Sequence, residues 1–347
     1  MLGPLIVDVA GTSLDAEDRE LLAHPLVGGV ILFARNCRKA AEVARLAEEV
    51  HALRKPPLLV TIDQEGGRVQ RLTDDVTRLP PASLFGALWD EDPSSARALS
   101  RDTGRLMAAE LLALGVDLSF APVADLGGRS RVIGDRAFHR DPQAVSDLAF
   151  AWMQGMHEAG MRAVAKHFPG HGGVTGDTHV ERPVDRRRHA DLALADLLPF
   201  EHLIVNGLDA VMMSHVVYPE VAPEPASFSP RWVTEILREG FDFQGAILAD
   251  DLAMEGAASG GSVFERLDAT LAAGCDLAPL CNDRGAVKTL IANAGSIAPA
   301  PASGLRRARL LPTKRWDEAM LRADPRLAAT REALARLSGG DSFRLES

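Results

Sequence analysis

One short pattern recurs four times in this chain of 347 residues and constrains its fold more than any other feature. Each copy begins with a glycine that ends a helix-like segment, and an apolar run with a charged third residue follows directly. The copies are Gly115-Val116-Asp117-Leu118, Gly160-Met161-Arg162-Ala163, Gly207-Leu208-Asp209-Ala210 and Gly274-Cys275-Asp276-Leu277. Glycine readily adopts the left-handed conformation that ends many helices. Each copy therefore predicts a helix, a left-handed cap and then a strand.

Apolar runs of strand length alternate with helical periodicity throughout residues 1–294. The predicted strands are 4–10, 27–33, 57–63, 116–123, 161–168, 208–217, 246–250 and 275–281. The predicted helices are a segment capped by Ser13 that ends near residue 23, then 39–53, 92–114, 142–159, 190–205, 230–238, 263–273 and 285–294. Strands that are apolar throughout are typical of parallel sheets covered on both faces. Eight such units predict the α/β class and a single-domain (β/α)₈ TIM barrel over residues 1–294.

Residues 295–347 form the remainder of the chain and are too few to build a second α/β domain. The stretch 297–303 is rich in proline, alanine and serine, which indicates a linker. Residues 317–337 are rich in arginine, alanine and leucine, which favours a helix with its arginines on a solvated face. We expect a short helical extension packed on or near the barrel.

Composition limits the kinds of partner. The chain is 46% hydrophobic and 25% charged with a formal net charge of −10, so neither nucleic acid nor an anionic membrane is generally attracted to it. Cys37, Cys275 and Cys281 are widely separated and lack metal-ligand spacing, which favours a reducing compartment. Residues 1–9 show no basic leader or cleavage site. We therefore expect a cytoplasmic protein that acts on a small molecule. We also expect it to be a monomer, which none of these features tests.

Polar residues follow the third predicted strand, where a barrel of this kind carries its chemistry. The string Asp63-Gln64-Glu65-Gly66-Gly67-Arg68-Val69-Gln70-Arg71-Leu72 alternates acids and arginines around paired glycines. Asp63 and Arg71 are suited to binding a polyol or carboxylate ligand by paired hydrogen bonds. The alternative is an internal Asp–Arg ion pair at the barrel mouth.

A glycine-rich loop follows the fifth predicted strand, between Lys166-His167 and the pair Asp177 and His179. Four glycines and a proline within eight residues predict a loop that can move. In an extended segment Asp177 and His179 share a side, and a carboxylate held against an imidazole fixes its tautomer and raises its basicity. The alternative for His179 is an ordinary surface histidine.

Three further positions stand at strand ends. Asp250 and Asp251 follow the seventh predicted strand, and because consecutive strand residues point to opposite sides, only one of them can face the barrel axis. Arg136 follows the fourth strand. It is either a binding residue or merely the ion-pair partner of Asp135 or Asp125. His215 follows the sixth strand and stays unassigned between a pocket residue and a buried structural histidine.

These motifs together resemble the β-N-acetylhexosaminidases of glycoside hydrolase family 3. The resemblance implies that Asp250 is the nucleophile, His179 the acid/base and Asp177 its partner, while Asp251 is left to cap a helix or pair behind the site. It also implies that Asp63, Arg71, Arg136, Lys166 and His167 contact the sugar. The chain is similar to the single-domain members, for which no metal or organic cofactor is implied.

The resemblance further implies a retaining reaction that removes terminal, non-reducing β-linked N-acetylglucosamine from the 1,6-anhydro-muropeptides of cytoplasmic cell-wall recycling. Three alternatives stay open. A phosphorylase could use the same residues, because a neutral imidazole repels phosphate less than a carboxylate does. A metal-dependent hydrolase could gather His167, His171, Asp177 and His179 around zinc. A non-catalytic sugar-binding barrel would have Asp250 or His179 misplaced.

Overall fold

The apolar runs of the sequence form the buried strands of a barrel. The computed structural model describes residues 1–176, 178, 182–293, 295 and 301–339. Within these ranges, eight parallel strands alternate with helices, and each lies inside one of the predicted strands. They are β1 (Leu5–Asp8), β2 (Val27–Leu32), β3 (Leu59–Ile62), β4 (Leu118–Ser119), β5 (Val164–Phe168), β6 (Ala210–Met213), β7 (Ala246–Ala249) and β8 (Ala278–Leu280).

The eight strands close into the predicted (β/α)₈ barrel. One sheet has the order β8-β1-β2-β3-β4 and a second has the order β7-β6-β5. Parallel bridges join the two sheets at both edges, between Val123 and Lys166 and between Leu248 and Leu277. Two short antiparallel pairs, Gln64–Gly66 with Val69–Gln70 and Val217–Tyr218 with Ala222–Pro225, follow β3 and β6 at the mouth.

Helices cover the outside of the barrel. They are α1 (Ala16–Ala23), α2 (Ala40–Ala52), α3 (Ala82–Glu91), α4 (Pro93–Ala113), α5 (Pro142–Ala159), α6 (His189–Ala193), α7 (Leu197–Val205), a π-helix (Arg231–Gly240), α8 (Val263–Ala273), α9 (Arg284–Ala292), α10 (Pro301–Ala308), α11 (Glu318–Ala323) and α12 (Pro325–Gly339). Short 3₁₀ turns are Ala34–Asn36, Gly134–Arg136, Ala226–Phe228 and Glu255–Gly260. Among the helices of the described ranges, none has the length and apolar character needed to cross a bilayer.

The four glycine caps are confirmed, whereas several helix details differ from the prediction. Gly115, Gly160, Gly207 and Gly274 have φ angles of 79°, 93°, 89° and 111°. The cap of α1 is Asp15 instead of Ser13, because the Asp15 carboxylate accepts the Asp18 amide at 2.7 Å. The helix α3 was not predicted, and residue 294, the predicted end of the last barrel helix, lies outside the described residues.

The C-terminal extension contacts the end of the barrel at which the strands begin. Arg307 is 2% exposed, and its guanidinium donates to the carbonyls of Leu2 and Asp276 at 2.8 and 3.0 Å. The Trp316 indole N–H donates to the Ala159 carbonyl at 2.8 Å. Residues 296–300, most of the predicted linker, lie outside the described residues.

Candidate active site

A cavity of about 610 Å³ opens at the carboxyl ends of the strands. Charged and polar side chains from four strand ends line it. These are Asp63, Glu65, Arg68 and Arg71 after β3, Arg131 and Arg136 after β4, Lys166, His167, His171, Thr175 and Thr178 on and after β5, and Asp250 and Asp251 after β7. Six of the eight predicted site residues, all except Asp177 and His179, are therefore brought together.

Lys166 is the centre of a charged wall of the cavity, which it forms with Asp63, Glu65, Arg71 and Arg136. Its side chain is 2% exposed, and its ammonium lies 2.8 Å from Asp63 Oδ1 and 2.6 Å from Glu65 Oε1. Arg71 Nη2 lies 3.2 Å from the second oxygen of Asp63. Burial alone would raise the pKa of Asp63, but Lys166 and Arg71 beside it hold that pKa below its usual range. The wall is therefore ionised at neutral pH, and the Asp63–Arg71 ion pair that the sequence left as an alternative is present.

Arg136 binds Glu65 instead of the acids considered from the sequence. Its Nε and Nη2 donate to the two Glu65 oxygens at 2.7 and 2.9 Å, a bidentate ion pair. Pairing of Arg136 with Asp135 or Asp125 was wrong, because Asp135 binds Arg68 and Asp125 binds His167. Glu65 was not assigned from the sequence, although its i+2 spacing from Asp63 gave the signal.

Asp125 orients His167. One Asp125 oxygen lies 2.6 Å from His167 Nδ1, and the other accepts the His171 amide at 2.6 Å. Burial would raise the pKa of Asp125, but His167 lowers it below the usual range, so this carboxylate can only accept. A proton must then lie on Nδ1, and the other ring nitrogen of His167, Nε2, lies 3.5 Å from Arg136. Asp125 was missed as a functional residue in the sequence.

The two acids after β7 have different surroundings. Asp250 follows β7 directly, and its Oδ1 accepts the Asp251 amide at 2.9 Å. Asp251 Oδ1 accepts the amides of Ala253 and Cys281, each at 3.0 Å, and burial raises the pKa of Asp251 to about 6. Backbone amides therefore hold one Asp251 oxygen, although both acids line the cavity and strand alternation does not remove Asp251 from it.

His215 is a buried structural histidine. Its Nε2 lies 3.0 Å from the Asp251 carbonyl, which can only accept, and its Nδ1 lies 2.6 Å from the Ser227 hydroxyl. Nε2 must therefore carry the proton and Nδ1 accepts from Ser227. Burial lowers the pKa of His215, so the neutral ring is favoured.

Backbone hydrogen bonds hold the glycine-rich loop at two of its described residues, Gly172 and Thr178. Gly172 accepts the amides of Arg129 and Ser130 at 3.1 and 3.2 Å, and Thr178 accepts the Gly256 amide at 2.8 Å. The predicted acid/base pair, Asp177 and His179, lies outside the described residues. In the part of the chain that the structure describes, no group of His, Cys, Asp and Glu has the arrangement of a metal site. Two of the four residues of the zinc alternative, Asp177 and His179, fall outside that part.

Known proteins resemble this chain over nearly its whole length. The model of the glycosyl hydrolase family 3 N-terminal domain matches residues 5–301. A β-hexosaminidase of Thiobacillus denitrificans is 52% identical, over 99% of this chain and 96% of its own. One of Alkalilimnicola ehrlichii is 49% identical, over 98% of this chain and 97% of its own.

Solved structures agree with the sequence relatives. NagZ from Neisseria gonorrhoeae in complex with N-trifluoroacetyl-D-glucosamine has a TM-score of 0.92 and 39% identity, and the match covers 97% of this chain and 98% of that one. A family 3 β-N-acetylglucosaminidase from Paenibacillus has a TM-score of 0.79 and 29% identity, and the match covers 99% of this chain and 63% of that one. These matches show that the chain belongs to glycosyl hydrolase family 3 as a β-N-acetylhexosaminidase.

Proposed function

We propose that the enzyme is a retaining exo-β-N-acetylglucosaminidase that removes terminal β-linked N-acetylglucosamine from peptidoglycan fragments, namely GlcNAc-1,6-anhydroMurNAc and its peptides. The observation that carries the proposal is that Asp250 lines the same cavity as the Asp63–Lys166–Glu65–Arg136 network. The N-trifluoroacetyl-D-glucosamine bound to the gonococcal relative supports an N-acylated glucosamine as the cleaved sugar.

In the first step, Asp250 attacks the anomeric carbon of the bound sugar. The bond from that carbon to the leaving oxygen breaks, and His179 gives its proton to this oxygen. A glycosyl ester of Asp250 with inverted configuration results. Asp177 orients the His179 ring and stabilises its protonated form. The roles of Asp177 and His179 rest on the sequence motif.

In the second step, water attacks the same carbon and the ester bond to Asp250 breaks. His179 takes the proton of this water, and the second inversion restores the β configuration. If the glycine-rich loop closes only over bound sugar, bulk water is kept from the ester until the leaving group has departed.

The charged wall binds the sugar. Asp63 and Glu65 have oxygens that accept hydroxyl protons, and Arg71, Arg136 and Lys166 donate N–H groups. Because these five side chains already hold one another, they are positioned before sugar binds and lose little freedom in doing so. His167 presents its Nε2 beside Arg136.

The setting that we propose for this reaction is the cytoplasm, with the enzyme as a monomer. The thiols of Cys37, Cys275 and Cys281 are free and buried, which is compatible with a reducing compartment. The proposed division is a catalytic barrel over residues 1–294 and an extension over 295–347.

A fluorinated glucosaminide that forms a slowly hydrolysed ester tests the nucleophile. Mass spectrometry of the trapped enzyme should place the label on Asp250, and Asp250→Ala and His179→Ala should each lower turnover by several orders of magnitude without unfolding the protein. Asp251→Asn is the matched control and should lose far less. Near-normal activity of Asp250→Ala would refute the mechanism, and N-acetylglucosamine 1-phosphate formed in phosphate buffer would assign a phosphorylase instead.

A further inference from the structure

The backbone just after β7 contacts the side chain of Asp250. The Asp251 amide donates to Asp250 Oδ1 at 2.9 Å. An aspartate carboxylate rotates over a broad range about its last bond, so this hydrogen bond restricts the direction of both oxygens. The orientation of the Asp250 carboxylate therefore depends on where the Asp251 backbone is held.

Hydrogen bonds to neighbouring strands fix the chain on both sides of Asp251. The Asp250 amide donates to the Met213 carbonyl in β6 at 3.0 Å, and the Leu252 amide donates to the Pro279 carbonyl in β8 at 2.9 Å. The amide between these two is the one that binds the Asp250 carboxylate. Its direction is therefore set by the contacts of Asp251 itself.

A histidine side chain holds the Asp251 carbonyl. His215 Nε2 lies 3.0 Å from this oxygen, and the Met254 amide donates to it at 3.1 Å. Met254 belongs to the same turn, whereas His215 comes from the segment after β6 and so ties the turn to another part of the barrel. Only two rotatable backbone bonds separate the amide of a residue from its carbonyl, so a fixed carbonyl restrains the amide as well.

Contacts behind His215 fix its ring. His215 and Ser227 are both fully buried, and the Ser227 hydroxyl lies 2.6 Å from His215 Nδ1. The Ser227 amide in turn donates to the Ser214 carbonyl at 3.1 Å. His215 is not among the described residues that line the cavity. Any effect of His215 on the reaction must therefore pass through the residues that it holds.

We propose that His215 is a positioning residue for the nucleophile: its Nε2–H holds the Asp251 carbonyl and thereby keeps the Asp251 amide on Asp250 Oδ1. The inference rests on the proposed role of Asp250 in attacking the anomeric carbon. Attack needs a carboxylate oxygen about 3–3.5 Å from that carbon, and a displacement of about 1 Å costs a factor of about 10² in rate. Losing the bond to the Asp251 carbonyl should therefore slow ester formation, while the charged wall still binds the sugar.

Two substitutions of similar size separate the Nε2 donor from the rest of the ring. His215→Gln places an amide N–H near the position of Nε2, whereas His215→Asn places an amide oxygen near Nδ1 and has no donor at Nε2. Mass spectrometry of labelling by the fluorinated glucosaminide, followed over time at several concentrations, gives the maximal rate of ester formation and the half-saturating concentration separately. His215→Asn should lower the maximal rate roughly 10- to 100-fold at an unchanged half-saturating concentration. His215→Gln should keep most of the wild-type rate.

His51→Asn is the matched control. His51 Nε2 lies 2.8 Å from Asp117 Oδ2 at the end of the barrel where the strands begin, so this variant loses a comparable hydrogen bond far from Asp250. Its labelling rate should match that of the wild type. Equal rates in the two His215 variants, whether unchanged or equally reduced, would overturn the inference. Labelling of the wild type at a residue other than Asp250 would instead overturn the proposed function.

A measurement on the wild-type enzyme tests the same inference if neither His215 variant folds. Nitrogen-15 NMR of labelled imidazoles should show His215 as a neutral ring with its proton on Nε2. Ser227→Ala, which removes the hydroxyl at Nδ1, identifies the signal by shifting it. A proton on Nδ1 alone would leave the ring unable to donate to the Asp251 carbonyl and would overturn the inference.

Discussion

At the scale of single residues, the site depends on a buried lysine between two acids. Asp63 and Glu65 both face the Lys166 ammonium, and without a cation there two neighbouring buried carboxylates would repel each other and take up a proton. Burial would lower the pKa of Lys166, but the two carboxylates raise it above its usual value. Each charge is therefore tolerated only because the others are present.

Replacing Lys166 with methionine should show this dependence. The change keeps the side-chain length but leaves two buried carboxylates without their shared cation, and breaking a buried ion pair in this way costs about 3–5 kcal/mol of unfolding free energy. Urea denaturation at pH 7 measures the loss. The exposed pair of Lys288 and Glu17 supplies the control, since Lys288→Ala should cost less than about 1 kcal/mol.

The loss of unfolding free energy in Lys166→Met should depend on pH, and the pKa values of the two carboxyl groups give its direction. In the folded protein Lys166 holds the pKa values of Asp63 and Glu65 below their usual ranges. The stabilisation this gives is complete above the unfolded pKa values of about 4 and is lost as the pH falls below them and through the lower pKa values of the folded protein. The stability gap between wild type and Lys166→Met should narrow below about pH 5. A gap that widens on acidification would contradict the proposed role of Lys166 as counterion.

At the scale of elements, the glycine caps decide where helices end and strands begin. Gly207 and Gly160 have similar φ angles of 89° and 93°, yet their surroundings differ. No atom lies within 4 Å of a Cβ built on Gly207. A Cβ on Gly160 would lie 2.5 Å from Lys314 Cβ and 2.9 Å from the Lys314 backbone nitrogen, so the C-terminal extension closes over this cap.

Alanine at the two caps should separate backbone strain from packing. Gly207→Ala introduces only a left-handed alanine, which costs about 1–2 kcal/mol. Gly160→Ala adds a steric conflict with the extension, so its loss of unfolding free energy should be clearly larger. Urea denaturation of both variants gives the comparison, and equal losses would mean that the extension does not pack on the cap.

The elements that the sequence predicted are those with local signals. The glycine caps depend on neighbouring residues, and α5 and α8 have the predicted limits. The predicted helix 190–205 is broken because Pro199, in the first turn of α7, has no N–H and would clash with the carbonyl four residues before it. Likewise Pro325 divides the predicted C-terminal helix into α11 and α12.

The features that the sequence missed depend on distant partners. The helix α3 contains Gly86. A Cβ at this position would lie 1.9 Å from the Phe138 carbonyl oxygen, so the reason for the glycine is a contact with a residue distant in sequence. Glu65 and Asp125 gain their roles from Arg136 and His167, residues 71 and 42 positions away. A local pattern cannot reveal such pairs, whereas the family motifs brought Asp63, Lys166 and Asp250 to one cavity.

At the scale of the whole molecule, chemistry and stabilisation lie at opposite ends of the barrel. The candidate active-site cavity is lined by residues at the carboxyl ends of the strands, among them Ile31, Lys166 and Cys281. The extension instead binds Leu2, Ala159 and Asp276, which precede β1, β5 and β8. A change in the extension should therefore alter stability without altering the site.

Trp316 provides the test of this separation. It is 6% exposed, its indole N–H binds Ala159, and the Lys314 ammonium lies 4.1 Å from its ring. Trp316→Ala should cost about 3–5 kcal/mol of unfolding free energy, as for other large buried side chains, with a lower melting temperature. Because no cavity residue moves, kcat on a chromogenic N-acetyl-β-glucosaminide, measured well below that temperature, should stay unchanged. Trp316→Phe keeps an aromatic ring but loses the hydrogen bond, so its loss of unfolding free energy should be smaller. A fall of kcat in either variant would show that the two ends of the barrel are coupled.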